Sequence, residues 1–242
     1  MKNINVITTV LSILLMAIIS YGCTASAEQI KGNGKVVSIE RKIEPFSAIK
    51  LNGVFNVMIS QGEKESLTIE ADDNLVDLIE SIKDGDTLII KQKKESNFKP
   101  TKFNIYITIK DIKSLESDIV GNIVTSTPLN LKDFNLSTQN VGSIKMEFNS
   151  DKFFANINSV GDITLKGRSG VSDIKNSSVG NIHSLDFVSD NLILQNSNIG
   201  DVEVSVEKEF TLTTNGIGNV LYKGNPVVKF QGTKGIGKIK KI

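Results

Sequence analysis

The sequence predicts an all-β fold: a right-handed single-stranded parallel β-helix (β-solenoid) with turns of about 19 residues and a more irregular N-terminal β portion. The first observation behind this is a repeated motif: aliphatic residue, glycine, variable residue, then Ile or Val. Its glycines are Gly121, Gly142, Gly161, Gly180, Gly200, Gly218 and Gly237, spaced by 21, 19, 19, 20, 18 and 19 residues. The second is a pair of apolar residues six and eight places before the glycine, as in Phe134/Leu136, Phe153/Ala155, Leu192/Leu194 and Phe210/Leu212. Residues two apart share one face of a strand, so stacked turns ~4.8 Å apart align them into interior columns. The third is a run of short polar residues just before the glycine: Gln139/Asn140, Asn158/Ser159, Ser177/Ser178 and Ser197/Asn198. Such side chains bond to nearby backbone at corners and can stack in ladders.

Two rival folds fit less well. A hexapeptide helix needs a strict six-residue subperiod, which the drift in spacing breaks. A sandwich would show hairpin signals and strands of varied identity, not one motif in phase. The right hand follows from the general preference of parallel crossovers.

Taken in order, residues 1–22 read as a targeting segment. Lys2 gives a positive start, and Val6 to Ile19 form an apolar run too short for a good spanning helix. Gly22-Cys23 resembles the end of a bacterial lipobox, although Ser20 stands where leucine is usual and Tyr21 is bulky. Cys23 is the expected lipidation site, and it is the only cysteine, so disulfides cannot stabilise the rest. Residues 23–44 read as a tether running into a first strand. Residues 45–242 form the solenoid domain: 45–114 as irregular first turns and 115–242 as regular repeats. Within the irregular part, Val54 to Ile59, Leu67 to Glu70, Thr87 to Ile90 and Phe103 to Ile109 alternate like strands. A single helix is expected from Asn74 to Ile82, capped by Asp72 or Asp73, with Leu75, Leu78, Ile79 and Ile82 on one face.

In each regular turn the residue before the glycine and the one two places after it are aliphatic. A straight strand would put them on opposite faces. The expectation is therefore a bend at the glycine that returns both to the interior. The lysines near the C-terminus (Lys234, Lys238, Lys240, Lys241) read as a solvated cap.

Several of these stretches resemble the head GIN domain family of auto-transporter adhesins. The resemblance rests on the signal with its cysteine, Phe46-Ser47-Ala48-Ile49, Gly53-Val54-Phe55-Asn56-Val57, Leu67-Thr68-Ile69-Glu70-Ala71 with Asn74-Leu75, Gly85-Asp86-Thr87-Leu88-Ile89-Ile90, and the Gly-Asn-Ile series. It covers roughly residues 45–230. It implies a right-handed parallel β-helix and a role in adhesion at the cell surface, with no established catalytic residues. The chain stops at Ile242 after the last repeat, where a true autotransporter would continue into a membrane-spanning β-domain.

Chemistry finds little footing. Asp162, Asn181 and Asp201 occupy one slot in three consecutive turns. Two rungs separate the carboxylates by ~9.6 Å, at the outer edge of the spacing of an inverting glycosidase pair. The same slot also holds Asn122, Ser143, Asn219 and Lys238, as expected of a turn residue, so no catalytic residue is assigned. A calcium site on this ladder would need oxygen ligands, which are present, but the nine-residue pattern of calcium-binding β-rolls is not, and no metal is expected. His183 is the only histidine; Ser178 and Ser184 near it are two among many turn serines, so a triad is not expected. No glycine loop suited to a phosphate opens a helix, so no cofactor is expected.

The charges nearly cancel (28 Lys and Arg against 27 Asp and Glu), with two arginines and no tryptophan, which argues against a nucleic-acid partner. The expected partners are the membrane, through the lipid anchor, and a protein or glycan ligand. The expected place is the bacterial cell envelope, lipid-anchored to the outer membrane on its periplasmic or outer side.

Overall fold

The computed structural model describes residues 29–93 and 97–242; the expected targeting segment 1–22 and the expected lipidation site Cys23 lie outside the described residues. Strands β1 (Gln29–Lys31) and β2 (Val36–Arg41) lead to the first rung, β3 (Ala48–Val54) with β4 (Asn56–Gln61). An excursion follows: β5 (Ser66–Asp72), a 3-10 turn (Val76–Leu78), β6 (Ile79–Asp84), β7 (Thr87–Gln92), β8 (Asn97–Lys99) and β9 (Phe103–Ile109). Next come β10 (Ser114–Val120), β11 (Ile123–Thr125), β12 (Leu129–Asn130) and β13 (Asp133–Thr138). The regular rungs are β14 (Ile144–Ile157), β15 (Ile163–Asn176), β16 (Ile182–Asn196) and β17 (Val202–Thr214). The stack ends with β18 (Val220–Lys223), β19 (Val227–Thr233) and β20 (Ile239–Lys241). Successive rungs pair in parallel, about 19 residues apart, over about seven turns of a β-solenoid.

Each long strand bends once, giving a first arm and a second arm. Ile144, Met146 and Phe148 point inward from the first arm of β14, and Phe153, Ala155 and Ile157 from its second. The register repeats the sequence period: Ile144 pairs with Ile163 and Phe153 with Ser172, then Ile163 with Ile182 and Ser172 with Leu192. The predicted inward pairs are all buried from Phe134/Leu136 through Phe210/Leu212, while Phe230 in the last rung is exposed. At the bend the core is aromatic. Phe148 lies 4.9 Å from Phe153 and 4.9 Å from Phe187 between ring centroids, and Phe134 stacks on Phe153 at 5.9 Å.

The N-terminal part is wound out of order. The chain leaves the first rung, and β7 and β9 then return to pair in parallel with β3 and β4 on their outer side. Only afterwards do β10 and β11 add to the opposite side of the same β3 and β4. The outermost strands reverse direction: β5 runs antiparallel to β9, β2 to β5, and β6 to β7. An antiparallel edge with alternating polar side chains ends the stack and blunts it against further pairing.

Two sequence expectations change here. The stretch 23–44 is not a tether where it is described, because β1 pairs with β8 and β2 with β5. A polar clasp holds the turn between them. Asp72 is buried, and its carboxylate accepts the backbone N–H of Gly34 and of Thr101, both at 2.8 Å. Asn74 accepts the Asn33 N–H at 3.1 Å and donates to the Lys31 carbonyl at 2.8 Å. The expected helix from Asn74 to Ile82 is a single 3-10 turn followed by a strand. Helical spacing of the apolar residues was overridden by a hairpin: β6 pairs with β7 from Ile79↔Gln92 to Asp84↔Thr87, closed by Gly85 at φ +56°. Ile79 is consequently buried and Ile82 exposed.

The clasp gives a prediction. Burial raises the Asp72 pKa, but the donated N–H groups of Thr101 and Gly34 outweigh it, and the net shift is downward. Its contribution is therefore complete above the unfolded value of 3.8 and is lost as pH falls through the lower folded value. Asp72→Ala should cost about 2–4 kcal/mol at pH 6, since two buried amides lose a charged acceptor. In urea titrations the gap to wild type should narrow as the pH drops below that range.

Candidate functional site

The repeat glycines shape the corner between turns. Each is bracketed by a parallel bridge at the preceding residue, from Val120↔Val141 to Ile217↔Ile236. The residue two places after the glycine is buried from Ile123 through Val220, but the residue before it faces solvent in every turn. The expectation that both turn inward is thus half wrong. Alternation simply continues through the corner: Thr138 and Asn140 point in, Val141 out, Ser143 out and Ile144 in. The inward corner positions are filled by polar residues instead. Asn140, Ser159, Ser178 and Asn198 are buried. Ser159 Oγ lies 2.9 Å from Thr138 Oγ1 and accepts the Asn140 N–H. Asn198 Nδ2 donates to the carbonyls of Gly180 and Gly200, each at 3.1 Å.

The slot after the glycine is a structural ladder. Asp162 Oδ1 accepts the Asn181 N–H at 2.8 Å, Asn181 Oδ1 the Asp201 N–H at 2.9 Å, and Asp201 Oδ1 the Asn219 N–H at 2.7 Å. Each side chain thus ties down the backbone of the next rung, which explains why Asp and Asn interchange there. His183 is exposed and lies 3.1 Å through Nδ1 from Glu203 Oε2, while Ser184 Oγ donates to the Glu203 carbonyl at 2.5 Å. The Ser178 hydroxyl is committed elsewhere, accepting the Ser159 N–H at 3.3 Å. The structure therefore does not assemble these three into a triad. Among the described residues, no group of three or more His, Cys, Asp and Glu is placed to hold a metal.

The outer face of the second arms has a different character. One outward column runs Asn135, Phe154, Asp173, Ile193 and Thr211, and the next runs Ser137, Asn156, Lys175, Gln195 and Thr213. Phe154 is 40% exposed and Ile193 41%. Around Phe154 lies a shallow groove of about 300 Å³, floored by Leu136 and Ala155 and rimmed by Asn135, Ser137, Asn156, Asp173 and Lys175. Asp173 sits between Phe154 and Ile193 in the column, and its Oδ1 is shielded from solvent with no hydrogen-bond donor among the described residues. An apolar ring, a ring of amides and hydroxyls, and one unpartnered acceptor suit a ligand with both an apolar face and N–H or O–H donors.

Beside this face, the bend carries an ion cluster. Arg168 bridges Asp190 and Glu207, and Lys208 lies 2.9 Å from Asp190. The Lys208 hydrogen bond, with that of Arg168, outweighs partial burial and lowers the Asp190 pKa. These charges span three rungs and act as an exposed staple.

The sequence period set Phe134, Phe153 and Phe210 in inward columns and assigned no place to Phe154. The signal was available: Phe153 and Phe154 are adjacent, and neighbouring residues of a strand face opposite sides. Tyr222 leans inward, with its ring 5.6 Å from that of Phe210. The seven repeat glycines have φ between +134° and +154°, and Cys23 is outside the described residues.

Comparison with known proteins agrees with this architecture. Three solved structures each have all of their length matched. The first, described as a putative adhesin from Bacteroides fragilis, is 24% identical over 88% of this chain with a TM-score of 0.83. The second, a putative adhesin from Parabacteroides distasonis, is 22% identical over 89% with a TM-score of 0.64. The third, a putative lipid binding protein from the same species, is 21% identical over 88% with a TM-score of 0.61. At these identities the likeness is one of fold. No curated protein matches the chain. The family described as "putative auto-transporter adhesin, head GIN domain" matches residues 45–226, which carry the rungs, the out-of-order first turns and the face around Phe154. The chain belongs to the head GIN domain family.

Proposed function

We propose that the protein is a non-enzymatic lipoprotein of the bacterial cell envelope, anchored to the outer membrane through Cys23, that binds a protein or glycan partner as an adhesin. The observation that carries this reading is the outer face of the second arms. Phe154 and Ile193 expose apolar surface between amides and hydroxyls. Repeating rungs suit contacts that are individually weak and multiplied along the stack. The family's adhesin description supports the same reading. The enzymatic alternative is weakened by the ladder, since Asp162 and Asp201 each hold a backbone amide of the next rung.

The test pairs location with binding. Protease shaving of intact cells, with lysed cells as control, should digest the solenoid if it is outside. Protection until lysis would favour a periplasmic scaffold. On arrays of glycans and extracellular-matrix proteins, Phe154→Ala should lose at least about tenfold in affinity to whichever partner wild type captures. Its melting curve should stay close to wild type, because the ring is exposed. Binding unchanged in the variant would remove this face from the proposal.

A further inference from the structure

The residues just before the repeat glycines form a surface that the binding face does not use. From Val120 to Ile236, seven consecutive members are Val or Ile, and all are 48–72% exposed. Parallel bridges join each to the next, so they form a straight stripe. At ~4.8 Å per rung it is about 29 Å long. The exposed column on one side of it, from Asp118 through Gln139, Asn158 and Ser177 to Lys234, varies in type and charge. The fold therefore tolerates polar residues at this corner, yet the stripe admits none.

We propose that the stripe is the contact surface for a second copy of this chain, with the two stripes packed face to face. This inference does not depend on the reading of the Phe154 face. The area is the first argument. Half-exposed Val and Ile at seven positions present roughly 600 Å² of mainly aliphatic surface, the upper end of what a monomer shows and most of the ~800 Å² per partner of a stable interface. The second is the period. A partner that keeps contact with seven evenly spaced branched side chains must carry the same ~4.8 Å repeat, and a second copy does.

Charge leaves both two-fold arrangements open. An antiparallel pair centred on Val179 sets Asp162 against Asp201 of the other copy but Asp118 against its Lys234. A parallel, in-register pair sets Asp162 and Asp201 against the neutral Asn158 and Ser197 but Lys234 against Lys238.

The experiment uses the full chain in bacterial cells, in two copies with different epitope tags, one carrying a photo-cross-linking amino acid at Val141 or Val179. Illumination should give an adduct of twice the chain's mass bearing both tags. Peptide mapping should place the Val141 probe on the stripe of the second copy, against Val141 in a parallel pair or Ile217 in an antiparallel one. A link to any other face would overturn the proposal. The same probe at Thr211, on the other face, should give none. Adding Val160→Asp and Ile199→Asp to both copies should reduce the adduct about tenfold or more, with melting unchanged because both side chains are exposed. Val160→Thr with Ile199→Thr keeps the branched shape and should reduce it less. No adduct, an adduct to a different protein, or a link only within one chain would overturn the proposal. Loss of adhesion without loss of the adduct would instead indict the binding face alone.

Discussion

Gly180→Val is expected to destabilise the protein by about 3–5 kcal/mol, enough to prevent folding if the wild type is marginal. Two effects add. The backbone at Gly180 has φ +139°, a region that L side chains rarely adopt. A Cβ there would also sit 2.4 Å from the Gly161 carbonyl oxygen and 2.7 Å from its carbon. Neither rung can give way, because Gly161 N–H is bonded to Val179 O and Gly180 N–H to Ile199 O, each at 2.9 Å. The clash lies at Cβ, so Gly180→Ala should retain most of the loss. Gly34→Ala separates the two terms. Gly34 has φ +83° but open space around a would-be Cβ, and should cost only about 1 kcal/mol. Urea unfolding of the three variants checks this. Equal losses at positions 34 and 180 would mean that rung stacking contributes nothing.

Phe148→Ala should cost a similar amount, about 3–5 kcal/mol. Its ring is fully buried where the two arms meet, with centroids 4.9 Å from Phe153 and Phe187 and 5.4 Å from Phe134. Phe153 comes from the other arm of the same rung, Phe134 from the rung before, and Phe187 from two rungs on beyond Gly167, so truncation opens a cavity that no single turn can close. The double variant with Phe187→Ala should fall short of the sum, because both rings line the same space. Phe154→Ala is the internal control: the same change on the outer face should lie within about 0.5 kcal/mol of wild type. A loss at Phe154 as large as at Phe148 would contradict the burial of the cluster.

What was legible in the sequence was the translation along the stack. A solenoid contacts itself at one fixed sequence offset, so side chains that meet in space recur at that offset, and Phe134, Phe153, Leu192 and Phe210 announce their own column. The glycines announce themselves for the same reason, since each presses on the carbonyl of the last. The orientation of the corner was less legible. Aliphatic residues on both sides of the glycine suggested two inward positions. Strict alternation places Asn140, Ser159, Ser178 and Asn198 inside and the Val/Ile stripe outside. Buried amides and hydroxyls are acceptable there because the corner carbonyls and the neighbouring turns supply their hydrogen bonds.

In the N-terminal third the strands at Leu67 to Glu70, Thr87 to Ile90 and Phe103 to Ile109 were legible and fall within β5, β7 and β9. Their pairings were not, because the contacts there have no fixed offset. Ala48 pairs with Thr87 on one side and Ser114 on the other, and Arg41 with Leu67. Local spacing therefore favoured a helix at Asn74–Ile82 that the hairpin with β7 replaced. The amino-acid sequence by itself determined the period, the inward columns and the glycine at each corner, all consequences of one unit stacking on its copy. Only the tertiary structure decided which strands cap the stack, which phenylalanine faces water and which side of the corner the aliphatic stripe occupies. Those depend on pairings between segments far apart in the chain, where the backbone's demand for hydrogen-bond partners outweighs local preference.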